Sequence, residues 1–161
     1  PAANRGTLVA FQRQVTEVIK TMNGAGQYME EMEKRIASVR QTIHNTPGMP
    51  FELGVKTKAI AEQLDDLFFL IDGVEAKASW EEVPPAIVPL SNRIQSIVWG
   101  MWSSTSEPTQ TMVDNYAIVV EEIPQILKTL EKMDADMKMV EQELEKAGAP
   151  WTPGRIPTFK K

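Results

Sequence analysis

The sequence predicts an all-α protein, an up-down-up-down four-helix bundle with long first and fourth helices and an extended C-terminal tail. Apolar residues recur at alternating spacings of three and four in four segments, which is the pattern of helices that bury one face. No segment of any length alternates apolar and polar residues as a half-buried strand does. A chain of this size can bury roughly two thirds of its unfolded surface. We therefore expect one bundle over residues 1–147 and a proline-rich tail over 148–161.

The first helix is predicted to run from about Thr7 to His44, through the sequence Asn-Gly-Ala-Gly at positions 23–26. Asn-Gly is a strong turn signal, and each glycine costs a helix interior about 1 kcal/mol. The apolar spacing nevertheless continues, because Ala25 occupies the position that the pattern requires. We expect one continuous helix, in which the glycines allow a bend or the close approach of a neighbouring helix. Its apolar face comprises Leu8, Phe11, Val15, Val18, Met22, Ala25, Met29, Met32, Ile36, Val39 and Ile43.

The other three helices are predicted from the same spacing, with connections short enough to make neighbouring helices antiparallel. The third helix is expected to begin at Pro84-Pro85, since proline suits a helix N-terminus. Thr109 is expected to cap the fourth helix, which Gly148 ends. The apolar faces are Leu53, Thr57, Ile60, Leu64, Leu67, Ile71 and Val74 in the second helix; Ile87, Leu90, Ile94, Ile97 and Met101 in the third; and Met112, Tyr116, Val119, Ile123, Ile126, Leu130, Met133, Met137, Val140, Leu144 and Ala147 in the fourth.

Composition and charge exclude several classes of function. The chain has no cysteine, so disulfides, thiolate metal sites and cysteine nucleophiles are excluded. A net charge of -5 with scattered lysine and arginine argues against a nucleic-acid partner. No apolar stretch approaches the ~20 residues of a membrane span, so none is predicted. The chain opens Pro-Ala-Ala-Asn-Arg-Gly without a methionine, and we interpret it as an excised part of a larger protein.

No catalytic, metal or cofactor site is predicted. Di-iron sites in four-helix bundles need Glu-x-x-His pairs, and the single histidine, His44, has Gln41 three residues before it. His44 is interpreted as a favourable charge at a helix C-terminus. Adjacent carboxylates on a helix point about 100° apart, which does not make an acid–base pair. The acidic stretch from Glu131 to Glu145 alternates with lysines, and we expect an exposed face with i, i+4 ion pairs.

Two tryptophans on the third helix are the candidates for an interaction surface. Trp99 and Trp102 lie three residues apart, Trp99 two positions after Ile97 of the apolar face and Trp102 one position after Met101. Their rings should therefore flank the core, as boundary packing or as a docking patch. The nine methionines fall mostly on the apolar faces, which favours core filling over a peptide-binding surface.

The C-terminal tail contains two more aromatic residues, Trp151 and Phe159. Its prolines keep the chain extended after the last helix. Trp151, Ile156 and Phe159 would be costly to leave in water, so we expect the tail to fold back along the bundle or onto a partner. Trp151, Arg155 and Phe159 are the predicted anchors of the tail.

The tail sequence AGAPWTPGRIP, residues 147–157, resembles the extreme C-terminus of large bacterial exported proteins with sortilin-like or BNR-type β-propellers, often labelled glycosyl hydrolases. In that family a helical region of about this size follows the propeller, and the Pro84-Pro85 and Glu107-Pro108-Thr109 segments are similar as well. The resemblance implies an exported accessory domain, at a periplasmic, outer-surface or extracellular location. Any hydrolase or binding activity would belong to the propeller, so no catalytic residue carries over.

These observations predict a non-catalytic helical accessory or interaction domain that packs on the remainder of its parent chain. Self-association into a homo-oligomer is left open. The first alternative is part of a glycosyl hydrolase that contributes to a carbohydrate site, which would need convergent carboxylates roughly 5 to 10 Å apart. The second alternative is a ligand-binding bundle of the sensor type.

Overall fold

The protein is all-α, with four helices and no strand among the residues that the structure describes. This computed structural model describes residues 2–74, 87–103 and 105–159, and the side chains from residue 5 onward. The helices are α1 (Ala2–Asn45), α2 (Phe51–Asp72), α3 (Leu90–Ser103) and α4 (Gln110–Lys146). The predicted helical bundle with long first and fourth helices is confirmed, and residues 149–159 form an extended tail.

Helix α1 is continuous through Asn-Gly-Ala-Gly, as its apolar spacing predicts. It spans 44 residues, and Ala25 is 4% exposed. A Cβ added at Gly24 or at Gly26 would meet no described atom within 4 Å, so of the two expectations for these glycines, a bend or the close approach of a neighbouring helix, the close approach does not occur. The burial of one face therefore outweighs two unfavourable helix propensities. The helix also begins five residues before the predicted start, because nothing in Ala2-Ala3-Asn4-Arg5 stops it.

The buried positions follow the predicted faces closely in α1, α2 and α4. In α1, for instance, every predicted position from Phe11 to Val39 is buried. The third helix differs, because it begins at Leu90 and leaves Ile87 outside it, 81% exposed. The predicted Pro84-Pro85 start lies outside the described residues. Val74 likewise follows the end of α2 and is exposed.

The ends of α4 are fixed by a cap at each terminus. The Thr109 hydroxyl accepts a hydrogen bond from the Met112 amide at 3.3 Å, as an N-cap does. At the other end, the amides of Gly148 and Ala149 donate to the carbonyls of Glu145 and Leu144, both at 3.0 Å. Gly148 has a φ of 82°, so this pair of bonds is a Schellman motif that needs a left-handed residue. The chain therefore leaves the helix at the predicted glycine.

The chain divides into two compact units. Unit one contains Pro1–Ala25 and Asp66–Ile126, and unit two contains Gly26–Asp65 and Leu127–Lys161. In unit one, a core cluster brings together Phe11, Val15, Ile97 and Met112, and the rings of Phe11 and Tyr116 meet edge to face at 5.5 Å. In unit two, segments of α1, α2 and α4 supply the buried side chains, and the tail belongs to the same unit.

Helix directions follow the predicted alternation at two of the three connections. In unit two, Tyr28 and Arg35 of α1 contact Asp134 and Glu141 of α4, in the same order along both helices. Helices α1 and α4 are therefore parallel, whereas strict alternation would make them antiparallel. The short connection over residues 46–50 favours reversal between α1 and α2, and α3 runs antiparallel to α4, since Arg93 contacts Asn115 whereas Gly100 lies against Met112. Residues 73–89 separate α2 from α3. A connection of that length does not force its flanking helices to be antiparallel.

Among the described residues, no helix is both long enough and apolar enough to cross a membrane.

Candidate functional site

A cluster of charged side chains joins α1 to α4 within unit two, and Arg35 is its centre. The Arg35 Nε and Nη2 atoms donate to the two carboxylate oxygens of Glu141, at 3.1 and 3.0 Å. Its Nη1 atom donates to Asp134 Oδ1 at 3.0 Å. Glu141 is only 4% exposed, so this is a largely desolvated, bidentate pair. We call Tyr28, Arg35, Asp134, Lys138 and Glu141 the Arg35 cluster.

Asp134 is bound from three sides in the Arg35 cluster. The Tyr28 hydroxyl donates to its Oδ1 at 2.7 Å, and the Lys138 ammonium lies 2.6 Å from its Oδ2. Burial alone would raise the pKa of Asp134, but the bonds from Lys138, Tyr28 and Arg35 outweigh it and lower that pKa to about 2. Burial, reinforced by the bond to Asp134, raises the pKa of Tyr28 to about 12. For Arg35, burial opposes the charge, yet the bonds to Glu141 and Asp134 raise its pKa.

These two carboxylates converge, but they are not arranged as an acid–base pair. A glycosidase needs one carboxyl group with a raised pKa to protonate the leaving oxygen. Asp134 has a lowered pKa, and both oxygens of Glu141 are held by Arg35. In the described part of the chain, no group of three or more acidic or histidine side chains could hold a metal ion. The chemistry of the Arg35 cluster is therefore that of a structural ion network.

Sequence reasoning missed the Arg35 cluster and placed Glu141 on an exposed face. The expected i, i+4 pairs do occur, as Lys132 with Asp136 and Lys138 with Asp134. Glu141 itself is buried, because it follows Val140 of the apolar face by one position. A signal was present, since Tyr28 and Arg35 are seven residues apart and so are Asp134 and Glu141. Side chains seven apart lie on one stripe of a helix, so Tyr28 with Arg35 and Asp134 with Glu141 form two polar stripes, but only the register between α1 and α4 shows that these stripes meet.

The tail packs on α4 through Arg155, one of its predicted anchors, and a second predicted anchor, Trp151, lies against the Arg155 guanidinium. The Arg155 guanidinium donates to the Glu141 carbonyl oxygen at 2.9 Å and to Glu145 Oε2 at 3.0 Å. It also lies over the ring of Trp151, 4.9 Å from the ring centroid, which is a cation–π arrangement. Trp151 and Arg155 are half-buried, whereas the third predicted anchor, Phe159, is 87% exposed. Phe159 therefore does not hold the tail against unit two.

An open groove of about 700 Å³ lies beside this tail, and we call it the tail groove. Its polar walls come from α1 and α4, including Lys34, Arg35 and Lys138. Its apolar wall comes from the tail, where Pro153 and Ile156 face the opening. The tail groove therefore combines basic and apolar surface within one unit.

The hydroxyl of Thr152 is buried in the tail and has no hydrogen-bond partner among the described residues. Thr152 is 5% exposed, and an unsatisfied buried hydroxyl costs roughly 1 to 3 kcal/mol. Thr152→Val keeps the shape and removes the polar atom, so we expect the free energy of unfolding to rise by about 1 kcal/mol. Urea denaturation measures this change. Thr152→Ser, which keeps the hydroxyl and removes a methyl group, should instead destabilise; a loss with valine would mean that the hydroxyl has a partner.

Both predicted interaction residues of α3 are exposed in unit one. Trp99 is 66% exposed and Trp102 is 86% exposed, and their spacing of three puts them on one side of the helix. Ile97 on the same helix is 1% exposed, so α3 buries one side and exposes the side that carries the two tryptophans. Ile87 and Val88, just before the helix, are exposed as well. Trp80, which precedes them in the sequence, lies outside the described residues.

Comparison with family models finds none that matches this chain, and no match emerges from the curated proteins or the solved structures. The resemblance of the tail to the C-terminus of bacterial propeller proteins therefore stays a prediction from residues 147–157.

Proposed function

We propose that this chain is a non-catalytic interaction domain that docks through Trp99 and Trp102 on the remainder of a larger, exported β-propeller protein. The observation that carries the proposal is the exposure of both rings on one side of α3. The tail sequence supports the choice of partner, because its resemblance is to chains in which a propeller precedes such a helical region. Export is part of the proposal on the same ground.

Two exposed tryptophans represent a large unfavourable surface in water. A tryptophan buries about 150 to 250 Å² when covered, and apolar burial stabilises by about 25 cal/mol per Å². Because the rings are 66% and 86% exposed, covering the exposed area of both would contribute about 6 to 9 kcal/mol before the costs of association are subtracted. Tryptophan is also among the residues that most often dominate binding energy at interfaces. A docking role explains why α3 carries both rings on its exposed side.

The proposal is tested by titrating this chain into the separately expressed remainder of its parent and measuring the dissociation constant by calorimetry. Replacing both Trp99 and Trp102 by alanine should weaken association at least 30-fold, taking about 2 kcal/mol as the threshold of a dominant interface residue. The far-ultraviolet circular dichroism should stay unchanged, because neither ring is buried within its unit.

The matched control is Phe51→Ala on α2, which removes an aromatic ring that is 82% exposed. We expect association within twofold of the unmodified chain for this control. An unchanged dissociation constant for the double tryptophan variant would contradict the docking proposal. So would sedimentation that shows the chain forming a homodimer through the same two residues, since the α3 surface would then be occupied by a second copy.

A further inference from the structure

The basic groups that line the tail groove differ in how firmly they are held. Arg35 and Arg155 make several hydrogen bonds to groups of α4, and their side chains are 25% and 21% exposed. Lys34 and Lys138 are 69% and 63% exposed, and each forms an ion pair on its own helix, with Glu31 and Asp134 respectively. The Lys34–Glu31 pair is exposed on both sides and contributes little to stability, so a ligand can recruit Lys34 at small cost, whereas Lys138 has to keep its bond to Asp134 while it contacts a ligand. An ammonium group has three donors, which leaves donors on each lysine beyond the existing pair.

The acidic groups at the tail groove are already paired with cations. Glu31 contacts Lys34, and both oxygens of Glu141 are bound by Arg35. The groove lining carries four basic and two acidic side chains, while the partner carboxylates Asp134 and Glu145 lie outside the lining. The lining itself therefore carries two more basic than acidic side chains, on a chain whose net charge is -5, although Asp134 and Glu145 bond Lys138 and Arg155 from outside the lining. Ser38, one helical turn after Lys34, adds a hydroxyl group to the same wall.

The opposite wall is apolar and open to water. Ile156 is 89% exposed, and it faces the groove together with Pro153. The hydrogen bonds of Arg155 to α4, immediately before Ile156, fix the position of this wall. A volume of about 700 Å³ lies within the range of small-molecule sites, which combine apolar surface with a few placed polar groups.

We propose that the tail groove binds a small organic oxyanion, whose carboxylate or phosphate oxygens contact Lys34 and Lys138 and whose apolar part covers Ile156. Charge-assisted hydrogen bonds from two ammonium groups select the oxyanion, and the isoleucine selects an attached hydrocarbon. All the residues that carry this site belong to unit two. The site is thus independent of the α3 tryptophans, and either proposal can fail while the other holds.

Titration of the full chain, followed by two-dimensional amide NMR, tests the site with three probes of similar length: hexanoate, hexyl phosphate and hexanamide. We expect hexanoate, hexyl phosphate or both to bind with a dissociation constant on the order of 1 mM, typical of so few ligand atoms. The shifts should centre on Lys34, Ser38, Lys138 and Ile156. Neutral hexanamide should bind at least about tenfold more weakly, and a difference between the two anions would identify the preferred head group.

The variant that tests the assignment combines Lys34→Gln with Lys138→Gln and should weaken anion binding about tenfold or more. The protein should stay folded, because both side chains are mostly exposed. The matched control is Lys58→Gln with Lys132→Gln, two lysines of unit two that are 73% and 62% exposed, each in an i, i+4 pair and outside the groove lining. The control should stay within twofold. Equal affinity for hexanamide, equal loss in the control variant, or shifts centred elsewhere would overturn the proposal.

Discussion

Replacing Arg35 by methionine should lower the free energy of unfolding by about 3 kcal/mol, a large effect for a side chain outside the apolar core. Methionine retains much of the length of arginine but removes every donor. Glu141, which is 4% exposed, would then keep a charge without its bidentate partner, and Asp134 would lose one of three hydrogen bonds. Removing one member of a buried ion pair costs more than the pair contributes, because the remaining charge stays desolvated.

Urea denaturation of three variants separates this effect from a simple loss of packing. Combining Arg35→Met with Glu141→Met removes both charges, and we expect most of the lost stability to return. Lys56→Met breaks the pair between Lys56 and Glu143, which joins α2 to α4 in the same unit, but with side chains 48% and 41% exposed. That control should change stability by less than about 1 kcal/mol. An Arg35→Met loss no larger than the Lys56→Met loss would mean that the Arg35 cluster is solvated.

Acid denaturation provides a second view of the Arg35 cluster. The pKa of Asp134 is lowered from 3.8 to about 2 in the folded protein. Its contribution to stability is therefore fully present above the unfolded-state value and is lost as the pH falls from about 4 toward 2. Arg35→Met removes one of the bonds that lower the pKa of Asp134, so the loss of stability on acidification should begin at a higher pH. A series of urea titrations between pH 5 and pH 2 measures this change.

Replacing both Gly24 and Gly26 by alanine should raise the free energy of unfolding by up to about 2 kcal/mol, from up to about 1 kcal/mol at each site. Both positions lie inside α1, where alanine has a higher helix propensity and restricts the unfolded chain. The added Cβ atoms meet nothing within 4 Å, so no packing cost opposes the gain. Thermal and urea denaturation should both register the increase.

Gly48→Ala is the matched control for the two helical glycines. The space around Gly48 is equally open, but its φ of 78° is in the left-handed region that alanine avoids. We expect this variant to destabilise by about 1 kcal/mol, so that the sign of the effect follows the backbone conformation. Destabilisation by the Gly24 and Gly26 substitutions would instead contradict a continuous helix at Asn-Gly-Ala-Gly.

The fold could be predicted where one strong physical preference decided the outcome. Helix α1 stays continuous at Asn-Gly-Ala-Gly because Ala25 maintains the apolar spacing and its face is buried. The cap at Thr109 and the stop at Gly148 followed from local backbone chemistry. The direction of α3 could not be read in this way, because the apolar pattern of a helix is the same in either direction and residues 73–89 impose no tight reversal.

The candidate sites could be predicted only in part, for a related reason. Spacing placed Trp99 and Trp102 beside the buried face of α3, and both are exposed. Spacing on one helix does not reveal its partner, so the pairing of Arg35 with Asp134 and Glu141 required the register between α1 and α4. The tail groove lies where Arg155 holds the tail on α4; the sequence predicted Arg155 as an anchor of the tail but did not identify Glu141 and Glu145 as the residues that it contacts.

Photo-crosslinking in the native product tests the docking proposal most directly. A photoreactive phenylalanine derivative is introduced in place of Trp102 in the source cells, with the same replacement of Phe51 as the control, and the crosslinked peptides are sequenced. We expect crosslinks from position 102 to upstream β-propeller segments of the same polypeptide, and few from position 51. A native product of about 18.0 kDa, or equal crosslinking from both positions, would contradict an accessory domain that docks through α3.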